Sequence, residues 1–370
     1  MLHARGIPVI DLDALCGPAG EARDAQDAAL LHGLSAYGLV HVKAATEAGL
    51  LDRFYDSFGH LRDWTRHGSD RWAGRPSGTS GVHTARHRAG GGGGRPARLQ
   101  GVLLRRAPAR GSGVRVGVPR DLRAERLAAG RRGFDPADFE ADYLQLGRRL
   151  HAVGVALLQG AARGLGLPED TFLARIEGGA HVTRALQYLA LSPAQVTAGV
   201  LWGEEHTDFN LLTLLPGGRF FDPAGAPCPS PDPGAGLYLR SRPTAENPAG
   251  QRVQGVAPPG CMLAQVGQQL EILTGGRLVA TPHVITAPKQ AGYTRCSMAH
   301  FIHLHPHQVL RPLPAFNDAE ARAAYRPTVL AGTYALKTLV DIGLAPREAL
   351  NQLGYRHYDR LQAQRQSDGV

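Results

Sequence analysis

Two histidines and one aspartate constrain this chain more than any other feature: His206-Thr207-Asp208 opens the run HTDFNLLTLL, and Thr281-Pro282-His283 follows far downstream. The run is rich in leucine and reads as a strand, so His206 and Asp208, two positions apart, leave the same face. That spacing suits a shared metal. A third ligand from a separate strand would complete a two-His, one-carboxylate facial set, which holds three positions of an octahedral iron and leaves the others for cosubstrate and oxygen. His283 is the candidate for it. A little further on, Arg295-Cys296-Ser297 places a guanidinium and a hydroxyl on one strand face, a pairing suited to bidentate carboxylate binding.

The chain can bury a sizeable core, having 370 residues of which 43% are apolar. No apolar run approaches the roughly 18 to 20 residues of a membrane helix, and no charged-then-apolar leader precedes Ile7-Pro8-Val9-Ile10. A cytoplasmic protein off the membrane is expected. Cys16, Cys228, Cys261 and Cys296 are scattered without a CxxC pair, so they read as buried thiols rather than disulfides or a zinc site.

The formal charge of +9 invites a nucleic-acid reading, which its distribution opposes. Arg71 through Arg120 holds eleven arginines, no lysine and no acid, so the rest of the chain is slightly acidic. That tract has Trp72 as its single aromatic and five consecutive glycines, Gly90 to Gly94, and so lacks the stacking side chains of a nucleic-acid surface. A small-molecule partner is expected.

Residues 7 to 12 read as a strand, Asp24 to Tyr37 as a helix, Leu39 to Val42 as a strand and about Thr46 to Leu61 as a helix. Asp135-Pro136 has the look of a helix start, and Phe139, Tyr143, Leu146, Leu150, Val153 and Leu157 recur at three- and four-residue steps along one face behind it. Gly164, Gly166 and Pro168 end that helix. From about His181 the pattern turns to short strands with Gly and Pro turns, as in an all-β sandwich or barrel, with Phe221 to Gly250 as a long hairpin excursion. Helices return at Asp318 to Tyr325 and Val329 to Ile342. His300, His303, His305 and His307 lack a carboxylate and are interrupted by Pro306, so they read as strand-end residues rather than a second metal site.

IPVIDLDAL, YGLVHV, HTDFNLLTLL, VAPPGCMLAQVGQQLEILTGG, ATPHVI and YTRCSMAHF together resemble the isopenicillin N synthase-like family of non-haem Fe(II), 2-oxoglutarate-dependent oxygenases. The resemblance implies a mainly β, α+β fold with flanking helices around a double-stranded β-helix, or jelly roll. It implies Fe(II) held by His206, Asp208 and His283, and 2-oxoglutarate held through its distal carboxylate by Arg295, Ser297 and Tyr188, with O2 as co-reactant. Hydroxylation of an unactivated C–H bond in a small metabolite of secondary metabolism is the implied reaction. The alternative is a ring-closing oxidation without 2-oxoglutarate, in which the Arg-Ser pair takes a substrate carboxylate. Leu186, Asn210, Gln265, Gln268 and Val284 depart from the family's usual residues, which bears on how the ligands are oriented.

The expected organisation is 1–75 as an amino-terminal region, 131–180 as a support helix, 181–307 as the jelly-roll core and 308–370 as carboxy-terminal helices. Residues 76–130 do not match. Their Arg, Gly, Ala and Pro content is what a GC-rich gene gives out of frame, and the chain's 38 arginines against three lysines fit such a gene. ARLQGVLLRRAP, from Ala97 to Pro108, can be encoded so that the shifted frame reads PDFKECYFAAP, which is family-like, and Val82 to Arg88 likewise permits FTPPDTE. The segment is therefore read as a frameshift product, expected to form poorly packed coil, and a catalytically impaired jelly-roll protein is a further alternative.

Overall fold

The computed structural model describes residues 6–43, 49–60, 82–86, 99–106, 136–240, 252–342 and 345–353. The chain begins with β1 (Val9–Asp11), α1 (Leu12–Leu15), α2 (Glu21–Ala36), β2 (Leu39–Lys43) and α3 (Leu50–His60). Strands β3 (Val82–Arg86) and β4 (Leu99–Arg106) precede the long helix α4 (Pro136–Gly164) and the short α5 (Leu173–Ile176). The strand-rich part starts with β5 (Val182–Tyr188), α6 (Pro193–Thr197), β6 (Gly203–His206), β7 (Leu212–Leu215), β8 (Gly218–Phe221) and β9 (Pro227–Cys228). It continues through β10 (Gly236–Arg240), β11 (Arg252–Gln254), β12 (Cys261–Val266), α7 (Gln268–Leu273), β13 (His283–Thr286) and β14 (Thr294–Ile302). The last part holds β15 (Val309–Leu310), α8 (Ala319–Ala324), β16 (Val329–Leu330) and α9 (Ala331–Asp341).

Two sheets face each other. The larger has the order β1-β2-β12-β7-β14-β5-β4-β3, with β8 also on β14, and the smaller runs β11-β10-β13-β6. Alternation along β14 and β5 explains why this works: residues of one parity pack on helices and those of the other on the second sheet. Ala185, Cys296, Met298 and Ile302 join the core formed with Leu30 and Leu34 of α2, Phe54 of α3 and Leu150 and Leu157 of α4. Leu186, Tyr188 and Ala299 point the other way and pack with Leu237, Leu239 and Ile285 of the smaller sheet. The architecture is the jelly-roll core with flanking helices that the resemblance implies.

All six residues of the predicted apolar face on α4, from Phe139 to Leu157, are buried. Phe54 stacks between Phe58, Phe139 and Tyr143 with centroids 5.3 to 5.7 Å apart, tying α3 to α4. At the other end Arg163 clasps Asp27 of α2 through Nε at 2.7 Å and Nη2 at 2.8 Å. Gly154 lets the helix lie close on the sheet, since an added Cβ would fall 2.2 Å from Cδ1 of Ile302. Gly38 turns the chain from α2 into β2 with φ +71°, and its carbonyl accepts the Thr281 hydroxyl at 2.6 Å.

Several expectations are corrected. Coil was expected throughout about 75–130, yet Val82–Arg86 and Leu99–Arg106 form a hairpin whose β4 pairs with β5 from Gln100↔Tyr188 to Arg106↔Val182. The reason is that an open sheet edge offers main-chain donors and acceptors that any composition can satisfy. The remainder of that segment lies outside the described residues. The long excursion from Phe221 is two short pairings, β8 with β9 and β10 with β11; residues 241–251 lie outside the described set. His300 is not at a strand end: it sits inside β14 with no exposure. Starts of helices shift by a few residues, with α2 beginning at Glu21 and α9 at Ala331. No described helix is long and apolar enough to cross a membrane.

Candidate metal and cosubstrate site

His206 ends β6, His283 opens β13, and the two strands pair so that these residues are directly opposite. Asp208 follows in the loop from β6 to β7, which is held by Gln268 N–H donating to the Asp208 carbonyl at 2.8 Å and Leu211 N–H donating to the Ile302 carbonyl at 2.8 Å. The three side chains converge, each offering a ligand atom within 4.8 Å of the others, and they form the one such group among the described residues.

Each side chain is turned by its other atoms. Nδ1 of His206 lies 2.7 Å from the Glu204 carbonyl, and Nδ1 of His283 lies 3.1 Å from the Thr281 carbonyl. A carbonyl can only accept, so each Nδ1 donates, which turns both Nε2 atoms toward Asp208. On Asp208, Oδ2 accepts from the Thr213 hydroxyl at 2.7 Å and the Gln265 amide at 2.8 Å. Oδ1 remains toward the rings, 3.7 Å from Nε2 of His206 and 3.8 Å from Nε2 of His283. Those gaps are too long for direct hydrogen bonds and suit a shared cation. Burial pushes the Asp208 carboxyl up, but the rings of His283 and His206, with the Thr213 and Gln265 hydrogen bonds, outweigh it and hold the group below its ordinary value. This donor set, two imidazole nitrogens and one carboxylate oxygen, fits a divalent transition metal.

Three departures from the family pattern prove to have contacts here. Gln265 donates to the Asp208 carboxylate, and Gln268 donates to the Thr207 hydroxyl at 2.6 Å while accepting from the Tyr334 hydroxyl of α9. Asn210 donates to the Leu212 carbonyl at 2.8 Å and to Thr213 Oγ1 at 3.1 Å.

Arg295 and Ser297 lie on the inner face of β14, opposite Tyr188 and Leu186 of β5. The Arg295 guanidinium carbon sits 5.3 Å from the Tyr188 ring centre and 5.8 Å from that of Phe220. Gly218 makes room for it, because a Cβ there would meet Nη2 at 2.6 Å. Tyr188 itself is 3% exposed and packs on Trp202 at 5.4 Å.

Two groups near the site were not read from the sequence. Arg184, on β5, has its Nε buried with no hydrogen-bond partner and lies over the Phe301 ring at 5.1 Å. Its signal was an arginine in step with Leu186 and Tyr188 along an inward-facing strand. The second is a set of neutral histidines: His300 pairs with Thr183 at 2.9 Å and with His151 at 3.2 Å, and the His303 N–H donates to His181 at 3.2 Å. Burial lowers His181 to about 3 and His303 to about 4, and holds His300 well below its ordinary value.

The sequence profile of the 2OG-Fe(II) oxygenase superfamily matches residues 185–304, the span from β5 to the end of β14 that carries every one of these ligand candidates. That span is similar to the core of the 2OG-Fe(II) oxygenase superfamily. Among curated proteins, the chain is 28% identical over 192 residues to the proline hydroxylase buaE of Petromyces alliaceus. That match takes in 50% of this chain and 54% of the relative, so the chain spans about half the length of the curated protein it matches. Among solved structures, a full-length Neurospora crassa protein in complex with alpha-KG aligns with a TM-score of 0.68 at 17% identity, covering 92% of this chain and 98% of that one. A 2OG-Fe(II) oxygenase family protein from Caulobacter crescentus aligns at 0.66 with 21% identity, covering 91% and 99%. The rice dioxygenase for auxin oxidation aligns at 0.59 with 20% identity, covering 93% and 99%. At these identities the structural likeness carries the fold alone.

Proposed function

We propose that this protein is an Fe(II)- and 2-oxoglutarate-dependent enzyme that hydroxylates an unactivated C–H bond of a small metabolite. The observation that carries the reading is the committed partner on every non-converging atom: Nδ1 of His206 and His283 on backbone carbonyls, and Oδ2 of Asp208 on Thr213 and Gln265. His206, Asp208 and His283 would hold Fe(II). Bound there with 2-oxoglutarate, the metal supplies O2 activation, converting 2-oxoglutarate, O2 and substrate to succinate, CO2 and the hydroxylated product.

The chain's own residues supply position. Arg295 offers a planar pair of donors to the distal carboxylate of 2-oxoglutarate, Ser297 adds a hydroxyl from the same face, and Tyr188 backs the guanidinium. The apolar walls between the sheets exclude water from the reacting centre. In this reading the jelly-roll strands hold the chemistry, α4 supports the sheet and the described helices α8 and α9 shape the substrate entrance. The proteins that the chain resembles are named for small-molecule substrates or crystallised with one: a proline hydroxylase, the Neurospora crassa protein in complex with alpha-KG and thymine, and a dioxygenase for auxin oxidation. Four free thiols, at Cys16, Cys228, Cys261 and Cys296, accord with a reducing cytoplasm.

The test is release of CO2 from carboxyl-labelled 2-oxoglutarate by iron-loaded protein. Wild type should release it, and Asp208→Ala and His206→Ala should not. Release that survives both changes rejects the site, and substrate oxidation without any release moves the ring-closing alternative ahead.

A further inference from the structure

We propose that Arg184 anchors a carboxylate of the oxidised substrate, so that this enzyme takes a small, largely apolar monocarboxylic acid. The inference rests on the function proposed above and names the substrate class for the same site.

Register places Arg184 in the space between the sheets. Along the β5 and β14 pair, Tyr188 opposes Arg295, Leu186 opposes Ser297 and Arg184 opposes Ala299. Directly opposed residues of an antiparallel pair share a face, and Tyr188, Leu186 and Ala299 belong to the inter-sheet core. Arg184 therefore projects inward with them. Its register position is four residues from that of Arg295, about 13 Å along the strands, so the two cations form separate stations. With 2-oxoglutarate on Arg295 and Ser297, the second station has no assigned occupant.

That station adjoins the metal ligands. Arg184 lies over the Phe301 ring, Phe301 opposes Thr213 across the β14 and β7 pair, and the Thr213 hydroxyl donates to Asp208. Asp208 does not serve as its partner, because Oδ2 is taken by Thr213 and Gln265 and Oδ1 faces the two histidines. Among the described residues Arg184 has no ion pair and no side-chain hydrogen bond; its contact is the Phe301 ring. A guanidinium cannot discharge itself by losing a proton. Half-buried, with Nε cut off from water and no counterion among the described residues, the group leaves a positive charge facing the space between the sheets. A ligand carboxylate would satisfy it in the bidentate manner that arginine favours.

The surroundings limit the rest of the ligand. Leu186, Ala299 and the Phe301 ring line the approach to Arg184, and the Phe209 ring lies against His303 at 5.2 Å. His303 stays neutral under burial and adds no charge. One cation among apolar and aromatic walls suits one carboxylate on an apolar body.

The test uses full-length protein with Fe(II) and saturating 2-oxoglutarate under anaerobic conditions, so that Arg295 is already engaged. Calorimetric titrations compare phenylacetate with phenylacetamide and hexanoate with hexanamide, on wild type, Arg184→Met and Arg184→Lys. At least one acid should bind wild type about 30-fold or more tighter than its amide. Arg184→Met should erase that preference, and Arg184→Lys should keep part of it. Ligand-free Arg184→Met should melt at or above the wild-type temperature, because an unpaired, half-buried cation has been removed. Equal binding of acid and amide, including no binding of either, overturns the proposal, as does a clearly lower melting temperature for Arg184→Met. Label release from 2-oxoglutarate by wild type alone, with no acid added, reports separately on the proposed function.

Discussion

The Asp208 clamp allows a prediction that separates metal affinity from folding stability. Thr213 and Gln265 both donate to Oδ2, at 2.7 and 2.8 Å, and thereby keep Oδ1 toward the histidines. A hydrogen bond to a charged group is worth about 1.5 to 3 kcal/mol, and loss of a group that orients a metal ligand costs about 10- to 100-fold in affinity. Thr213→Val and Gln265→Leu should therefore each weaken Fe(II) or Co(II) binding by about 10- to 100-fold. Their effects on folding should differ. The Thr213 hydroxyl also accepts from Asn210 at 3.1 Å, so its removal costs buried Asn210 one of its two acceptors, leaving the Leu212 carbonyl, and should lower stability by about 1 kcal/mol. Gln265 has a buried Oε1 without a partner among the described residues, so Gln265→Leu removes a cost along with a bond and should leave stability nearly level. Because both donors serve one oxygen, the double variant should depart from additivity. Anaerobic calorimetry gives the metal affinity and urea melts of metal-free protein give the stability. Metal binding within twofold of wild type in both single variants would refute the clamp.

Arg295→Ala should raise the KM for 2-oxoglutarate by the equivalent of about 2 to 5 kcal/mol, since a carboxylate loses its paired cation; an unchanged KM would remove Arg295 from the cosubstrate site. His181, His300 and His303 are held neutral when folded but take up protons when unfolded below their ordinary value of 6.5. The unfolded state then binds more protons, so stability is intact above about pH 6.5 and falls toward pH 4 by about 1.4 kcal/mol per pH unit per histidine. Urea melts at pH 7, 6 and 5 check this, and a flat profile contradicts it. Gly38→Ala should cost at least about 1 kcal/mol, because the left-handed turn disfavours a side chain and a Cβ would sit 2.8 Å from the Val279 carbonyl; a melting temperature equal to wild type would count against it. The reading-frame account of 76–130 predicts paired single-base insertions and deletions flanking the segment. Resequencing that finds the present codons intact across related strains would end it.

What the sequence made legible followed from periodicity. Phe139 to Leu157 needed only the helical repeat, whereas His206 and Asp208 converge for a reason the strand reading did not contain: β6 ends at His206, and the loop held by the Gln268 N–H brings Asp208 round to it. Contacts set by register between distant strands were less accessible. That Arg184 opposes Ala299, and that His300 lies buried beside Thr183 and His151, depends on β5 and β14 aligning in one register out of many. Gln265 looked like a departure from pattern, yet its longer side chain still reaches Asp208, a matter of distance that residue identity alone does not give. The β3 and β4 pairing was illegible for another reason: it is main-chain recognition, to which composition is a poor guide.

That last point bears on how such a chain can change over generations. The strand that covers β5 is attached through peptide groups, while the roles proposed for Arg184 and Tyr188 on β5 depend on what their side chains are. A border fastened in this way transmits position and is indifferent to spelling. Mutation can rewrite the lettering of the covering hairpin wholesale and still leave β5 seated. The site one strand inward is shielded from that drift, and the tolerance at the margin and the strictness within arise from a single sheet.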